Sequence, residues 1–248
     1  MDKIRLVILA AGQGKRMNQT LPKVLIDLNG QPIISRLLKS VKEAEIDPRP
    51  VIVIGRQAEI VRDVLGEGYD YVLQQELLGT GHAVSQAEKL LKNKTENVMV
   101  LYGDHPYLTA TSIKKLAEIH LNKNHIISLM TFKIPNFESW YSFFYDFGRI
   151  IRGADGLIKE IIEKKDASIE QLKITELNPA HFCFKADWLW ENLRKIENNN
   201  VQGEYYLTDL AKMAIDQGLR LDSIGIDPKE ALGINTLEQF DVAKKVCH

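Results

Sequence analysis

The chain has 248 residues with a formal net charge of −1, and 45% of it is hydrophobic and 26% charged. That length buries a substantial core in one large α/β domain or two small ones, and the near-neutral charge excludes a general nucleic-acid or membrane surface. Cys183 and Cys247 are the only cysteines, too few for a disulfide framework and in no metal-ligand spacing. No apolar run is long enough to span a bilayer, and Met1-Asp2-Lys3 leads straight into an apolar run without a signal peptide, so a cytoplasmic location is expected.

Ile4 to Leu9 reads as a strand buried on both faces, the usual opening of a parallel sheet. It runs into Ala10-Ala11-Gly12-Gln13-Gly14, where small residues leave backbone N–H groups open to an anion or a planar ligand. Lys15, Arg16 and Lys23 follow, enough cations to meet several phosphate oxygens. A Walker A loop is excluded because Arg16 holds the hydroxyl position, and the dinucleotide fingerprint because Met17 stands where its third glycine belongs. What remains is a nucleotide-phosphate cradle or a plain strand-to-helix turn.

Ile33 to Val41 has helical spacing, Val51 to Ile54 is a second buried strand, Gln57 to Leu65 a helix closed by Gly66, and Tyr69 to Leu73 a third strand. The alternation predicts a doubly wound, mostly parallel Rossmann-like sheet in one continuous domain, 1–248. Gln74 to Gly79 then leads into Thr80-Gly81-His82-Ala83 and a helix to about Leu91. Thr80 there is either an N-cap or part of a helix-terminus site for an anion or base edge, and His82, without a partner, reads as structural.

Val98 to Tyr102 is a buried strand that delivers Gly103-Asp104-His105-Pro106 at its carboxyl end, where open α/β sheets gather ligands. Asp104 can hold a cation there or cap the next helix. A helix from Thr109 to Leu121 and a strand from Ile126 to Phe132 precede a segment with seven aromatics from Phe137 to Phe147, read as a satellite hydrophobic cluster. Arg149 to Ile151 and Leu157 to Ile162 form a hairpin. The charged residues Glu163 to Asp166 are by default a solvated loop, Asn198 to Asp209 is a polar loop entering a helix, and Asn235 reads as an N-cap before a helical segment from Leu237 to Val246.

Leu9-Ala10-Ala11-Gly12-x-Gly14-x-Arg16-Met17 followed by Leu21-Pro22-Lys23-Val24-Leu25 resembles the sugar-1-phosphate nucleotidyltransferases, most closely the uridylyltransferase half of a bifunctional uridylyltransferase/acetyltransferase family. Gln74-x-x-x-x-Gly79-Thr80-Gly81-His82-Ala83, Glu163-x-Lys165-Asp166-Ala167 and Asn198 to Asp209 extend the likeness over nearly the whole chain. The resemblance implies a Mg²⁺-dependent transfer of uridylyl from UTP to N-acetylglucosamine 1-phosphate, with small-molecule substrates and no nucleic-acid or membrane partner. It implies catalytic roles for Arg16, Lys23 and Asp104, and nucleotide contacts from Leu9, Ala10, Ala11, Gly12, Gly14, Gln74, Gly79 and Thr80. Sugar contacts would come from Tyr102, Gly103, Gly148, Glu163, Asn178, Glu204 and Tyr206, and the metal would be shared by Asp104 and Asn235.

Two departures stand out. The aromatic segment is longer than the family's usual connection, and Glu176-Leu177-Asn178-Pro179-Ala180 replaces Glu-Ile-Asn-Thr-Gly. Pro179 loses an N–H and Ala180 takes a positive φ less cheaply than glycine, which puts the N-acetyl contacts in question. The alternatives are the same chemistry on another sugar, a non-catalytic nucleotide-sugar sensor, and a nicotinamide dehydrogenase. No acetyltransferase β-helix is read in the chain, no acetyl transfer is expected, and a monomer is expected.

Overall fold

The computed structural model describes residues 3–12, 21–123, 125–200 and 202–246. Gly14, Lys15, Arg16, Met17 and Cys247, all read from the sequence above, lie outside the described residues. Among the described residues ten strands form one sheet: β1 (Arg5–Ala10), β2 (Val51–Ile54), β3 (Asp70–Leu73), β4 (Asn97–Tyr102), β5 (Ile127–Lys133), β6 (Gly148–Arg152), β7 (Ile158–Ile162), β8 (Glu176–Asn178), β9 (Phe182–Lys185) and β10 (Leu221–Gly225). Their order is β3-β2-β1-β4-β9-β5-β8-β6-β7, with β10 beside β5.

β3, β2, β1 and β4 are all parallel, as β-branched strands alternating with helices require. Beyond β4 the sheet changes character. β9 enters antiparallel between β4 and β5, and β8, β6 and β7 extend an antiparallel ribbon. The sheet is therefore mixed, with β3, β2, β1 and β4 parallel at one end and β10 parallel to β5 beyond β9.

Side-chain alternation splits the core into two layers. Leu6, Ile8 and Ala10 of β1, with Met99 and Leu101 of β4, face α1 (Ile33–Ala44) and α5 (Ala110–Lys123). Val7, Val98 and Val100 face α3 (Thr80–Ser85), α6 (Ala186–Leu193) and α7 (Asp209–Asp216). Helices on both faces explain why these strands carry unbroken apolar runs. α2 (Ala58–Leu65) ends at Gly66 as its sequence requires, and α8 (Leu237–Val246) closes the described chain.

The single helix expected from Thr80 to about Leu91 is two pieces, α3 and α4 (Glu88–Leu91). At the break Gln86 and Ala87 make tighter i→i+3 bonds, while the Ser85 hydroxyl and the Gln86 amide donate to the His82 carbonyl. Local side-chain bonds compete with the helical ladder there. β8, β9 and α6 have no counterpart in the sequence reading, because their apolar runs are too short to declare a period.

The aromatic segment is not a satellite, as the sequence suggested, but joins the larger hydrophobic cluster, because its rings pack directly on Phe132 of β5. Phe144 is fully buried, with its ring 4.8 Å from Phe132 and 5.3 Å from Phe147. The segment also wraps Arg149, whose guanidinium has no solvent exposure. That group lies over the rings of Phe137 and Tyr145 and donates to the carbonyls of Tyr145, Phe147 and Leu172. The aromatics thus house a buried cation beside the strand that carries Gly148.

Candidate functional site

β1 has β2 on one side and β4 on the other, so the strand order reverses at β1 and leaves a crevice at the carboxyl ends of β1 and β4. Gly103 makes the two strand ends meet. Its N–H donates to the Leu9 carbonyl at 2.9 Å, and a Cβ at Gly103 would lie 3.0 Å from that oxygen. The crevice opens into a cavity of about 300 Å³. Leu9, Ala10, Ala11 and Gly12 form one wall, Gln74, Gly79 and Thr80 a second, and Lys23, Tyr102, Asp104, Glu204 and Asn235 the floor and far side. Twelve residues singled out from the sequence thus converge on one space, joined by Val24, Leu77 and Ala83.

At the polar end, Lys23 donates from Nζ to Asp104 Oδ2 at 2.6 Å and to Asn235 Oδ1 at 2.7 Å. Lys23 and Asp104 are each only 8% exposed. Asn235 reaches Asp104 because the loop before α8 is pinned at two points. The Ile234 N–H donates to the Asp104 carbonyl at 3.0 Å, and the Asn235 N–H donates to Gln239 Oε1 at 2.7 Å. Burial pushes the Asp104 carboxyl up, but the Lys23 ammonium and neighbouring His105 outweigh it and hold the group below its ordinary value. One carboxylate oxygen and one amide oxygen therefore converge on a single cation. That hard-oxygen pair also suits Mg²⁺, which keeps its remaining positions for water and phosphate. No cluster of three or more His, Cys, Asp or Glu side chains occurs among the described residues. A metal at Asp104 and Asn235 would accordingly depend on substrate oxygens.

On the opposite wall Gln74 is 3% exposed, and its amide donates to the Gly79 carbonyl at 3.1 Å. Gly79 has φ of 106°, and a Cβ there would lie 2.6 Å from the Tyr205 carbonyl oxygen, so only glycine fits this crossing. The Thr80 hydroxyl does not cap its own helix. It accepts the Leu207 N–H at 3.0 Å, which ties the 198–209 loop to the cavity wall. His82 sits between Gln74 and Gln86 at 3.1 Å from each, the structural part expected of it. Asn200 shapes the same loop, accepting from the N–H groups of Gln202 and Glu204 and donating to the Glu204 carbonyl. Glu204 thereby reaches the cavity, whereas the Tyr206 hydroxyl turns to Gln202.

Gly148, Glu163 and Asn178 gather on the antiparallel ribbon. Gly148 pairs directly with Asn178 across β6 and β8, and a Cβ on Gly148 would lie 3.5 Å from the Glu163 carboxylate. Burial pushes the Glu163 carboxyl above its ordinary value, with Thr208 bonding it down and Asp209 and Asp166 repelling it upward. Burial likewise raises the Tyr102 phenol, which keeps it neutral, and Glu163 is close enough to add to that shift. The two clusters therefore adjoin at Tyr102. Ala180 takes the left-handed φ of 62°, and its N–H donates to Asn178 Oδ1 at 2.9 Å. The turn thus keeps a glycine-like conformation, at a strain of about 1–2 kcal/mol.

Sequence reasoning missed His105 and His181. Both are buried, and His181 Nε2 lies 3.1 Å from His105 Nδ1. Two isolated histidines 76 residues apart carry no signal of their pairing in the sequence.

A MobA-like NTP transferase domain matches residues 6–136, which takes in the Ala10–Gly12 loop, the Gln74–Thr80 wall and Asp104. The chain belongs to this family. It is 39% identical to the bifunctional protein GlmU of Acetivibrio thermocellus over 247 residues, covering 99% of this chain and 52% of that protein. Against GlmU of Enterococcus faecalis the identity is 38% over 250 residues, covering 100% of this chain and 53% of the relative. The chain thus spans about half the length of the curated relatives it matches. Among solved structures, UDP-glucose pyrophosphorylase complexed with UDP-glucose superposes with a TM-score of 0.79 at 18% identity, over 100% of this chain and 98% of that one. An apo UDP-glucose pyrophosphorylase gives a TM-score of 0.78, also at 18% identity, over 98% of each chain. These likenesses establish a nucleotidyltransferase fold and bear out the resemblance read from the loop motifs. No helix among the described residues is long and apolar enough to cross a membrane.

Proposed function

We propose that this chain is a Mg²⁺-dependent uridylyltransferase that forms UDP-N-acetylglucosamine and pyrophosphate from UTP and N-acetylglucosamine 1-phosphate, acting as a single nucleotidyltransferase domain. The observation that carries the reading is the convergence of Lys23, Asp104 and Asn235 at one end of a cavity whose other walls are the Ala10–Gly12 loop and the Gln74–Thr80 segment. The 38–39% identity to GlmU relatives over essentially the whole chain supports this reading.

In this reading the sugar phosphate oxygen attacks the α-phosphorus in line and pyrophosphate leaves, so no protein nucleophile or general base is needed. The chain supplies orientation and charge. The Ala10–Gly12 backbone and the Gln74–Thr80 wall seat the nucleotide. Lys23 moves its ammonium from Asp104 to the reacting phosphates, and Arg16 meets the leaving phosphates. Gly148, Glu163 and Asn178, with Tyr102, receive the sugar. Asp104 and Asn235 would hold the Mg²⁺, whose chemistry is neutralisation of phosphate charge.

The left-handed Ala180 supports retention of the sugar turn despite Pro179-Ala180. Membership of an NTP transferase family speaks against the dehydrogenase alternative. The deciding experiment is pyrophosphate release with UTP and Mg²⁺ across N-acetylglucosamine, N-acetylgalactosamine, glucose and glucosamine 1-phosphates. Preference for the first supports the proposal, preference for another keeps the mechanism and replaces the sugar, and UTP binding without turnover on any of them leaves a sensor.

A further inference from the structure

Asp104 presents its two oxygens to different partners. Oδ2 accepts from Lys23, while Oδ1 faces His105 Nε2 at 3.8 Å. His105 in turn faces His181, with ring centroids 4.7 Å apart and planes crossed at 81°, and both rings pack against Tyr102. On its other side His105 is wedged against the chain that leads to Asn235, since a Cβ on Gly233 would lie 2.7 Å from His105 Nε2. His181 closes the Asn178–His181 turn, directly after the strained Ala180.

The proton order along this row follows from what each nitrogen meets. His181 Nδ1 is buried and has no hydrogen-bond partner. A buried N–H without an acceptor costs more than a bare imine nitrogen, so the His181 proton belongs on Nε2, where it is donated to His105 Nδ1. That leaves the His105 proton on Nε2, the nitrogen 3.8 Å from Asp104 Oδ1, a contact longer than a hydrogen bond that acts through packing and charge. The opposite order strands an N–H at His181 and sets a lone pair against Asp104.

We propose that His105 and His181 form a buried two-imidazole strut that fixes the Asp104 carboxylate for its cation and ties it to the turn carrying Asn178. Both are positioning residues acting through Asp104, in the manner of outer-sphere partners that orient a metal ligand. The inference rests on the proposed metal role of Asp104.

The test uses Mn²⁺ as the probe, its binding to the full chain measured by electron paramagnetic resonance with UTP present. His181→Leu removes the donor and His181→Gln returns an N–H at the place of Nε2. The expected result is a rise of about tenfold in the Mn²⁺ Kd for the leucine variant, recovery to within about twofold with glutamine, and a lower kcat at unchanged KM for UTP. A wild-type Mn²⁺ Kd in a folded His181→Leu protein overturns the strut, as does a glutamine variant that melts like wild type but does not recover. Wild-type protein that binds no Mn²⁺ removes the metal role itself, and the strut with it. Independently of any variant, ¹⁵N chemical shifts of the wild-type histidines should report Nε2–H tautomers at both 105 and 181, and a proton on His105 Nδ1 refutes the arrangement.

Discussion

Replacing Lys23 by methionine keeps the side chain out to its ε carbon and deletes the ammonium that bonds both Asp104 and Asn235. The side chains of Lys23 and Asp104 are 9% and 11% exposed, so the carboxylate is left nearly dry and unpaired. Breaking a buried ion pair from one side costs about 3–5 kcal/mol. At roughly 2–4 °C per kcal/mol for a chain of this size, Tm should fall by about 6–20 °C. The loss should be partly reversible by a divalent cation, because Mg²⁺ or Mn²⁺ then meets two oxygens that no ammonium holds. Metal at a hundred times its Kd returns about 2.7 kcal/mol. Scanning calorimetry with and without Mg²⁺ should therefore show a larger metal-induced rise in Lys23→Met than in wild type, while kcat falls by at least about a hundredfold. An unchanged Tm, or equal Mg²⁺ shifts in the two proteins, would refute the idea that Lys23 occupies the cation position.

Ala180→Gly should raise Tm by a few degrees, since relief of about 1–2 kcal/mol of left-handed strain exceeds the roughly 0.4–1 kcal/mol of added unfolded-state entropy; a lower Tm would contradict the strain. Glu163 has a raised folded pKa, so its contribution is fully present below its unfolded value and is lost as pH rises through the folded one. Glu163→Gln should accordingly hold or raise Tm at pH 7 while raising KM for the sugar phosphate, and a loss of Tm with unchanged KM would remove it from the sugar site. His120, buried between Ser128 and Asn97, has its pKa lowered by burial from 6.5 to about 4. Its folded value is depressed, so its contribution is fully present above 6.5 and is lost as pH falls from there through about 4, amounting to about 3 kcal/mol. NMR titration should find its ring neutral at pH 5.5, and a midpoint near 6.5 would refute the burial argument.

By itself the sequence determined the parts whose information is local. The apolar runs of β1, β2 and β4 announce strands buried on both faces, because only a strand covered by helices on both sides tolerates no polar alternation. The bare Ala10–Gly12 turn announces its backbone for the same local reason, and the Gly-Asp pair at 103–104 follows directly from the strand that carries it. Gly79 was legible as part of a motif, though the reason for it, the Tyr205 carbonyl at 2.6 Å from a would-be Cβ, was not.

Tertiary structure alone decided which of these parts touch. Asn235 reaches Lys23 across 212 positions, and Thr80 holds Leu207 across 127, distances over which no spacing rule operates. The short strands β8 and β9 became strands only because neighbours on either side supplied their hydrogen bonds. Ala180 kept a conformation its own side chain disfavours because Asn178 bonds its N–H and the flanking strands hold the turn. His105 and His181 became a pair only when β9 was inserted antiparallel beside β4, bringing the Asn178–His181 turn against the strand end that carries Asp104. Periodicity records what a residue's own segment buries, whereas the partner of a buried polar group is set by the order in which the strands assemble.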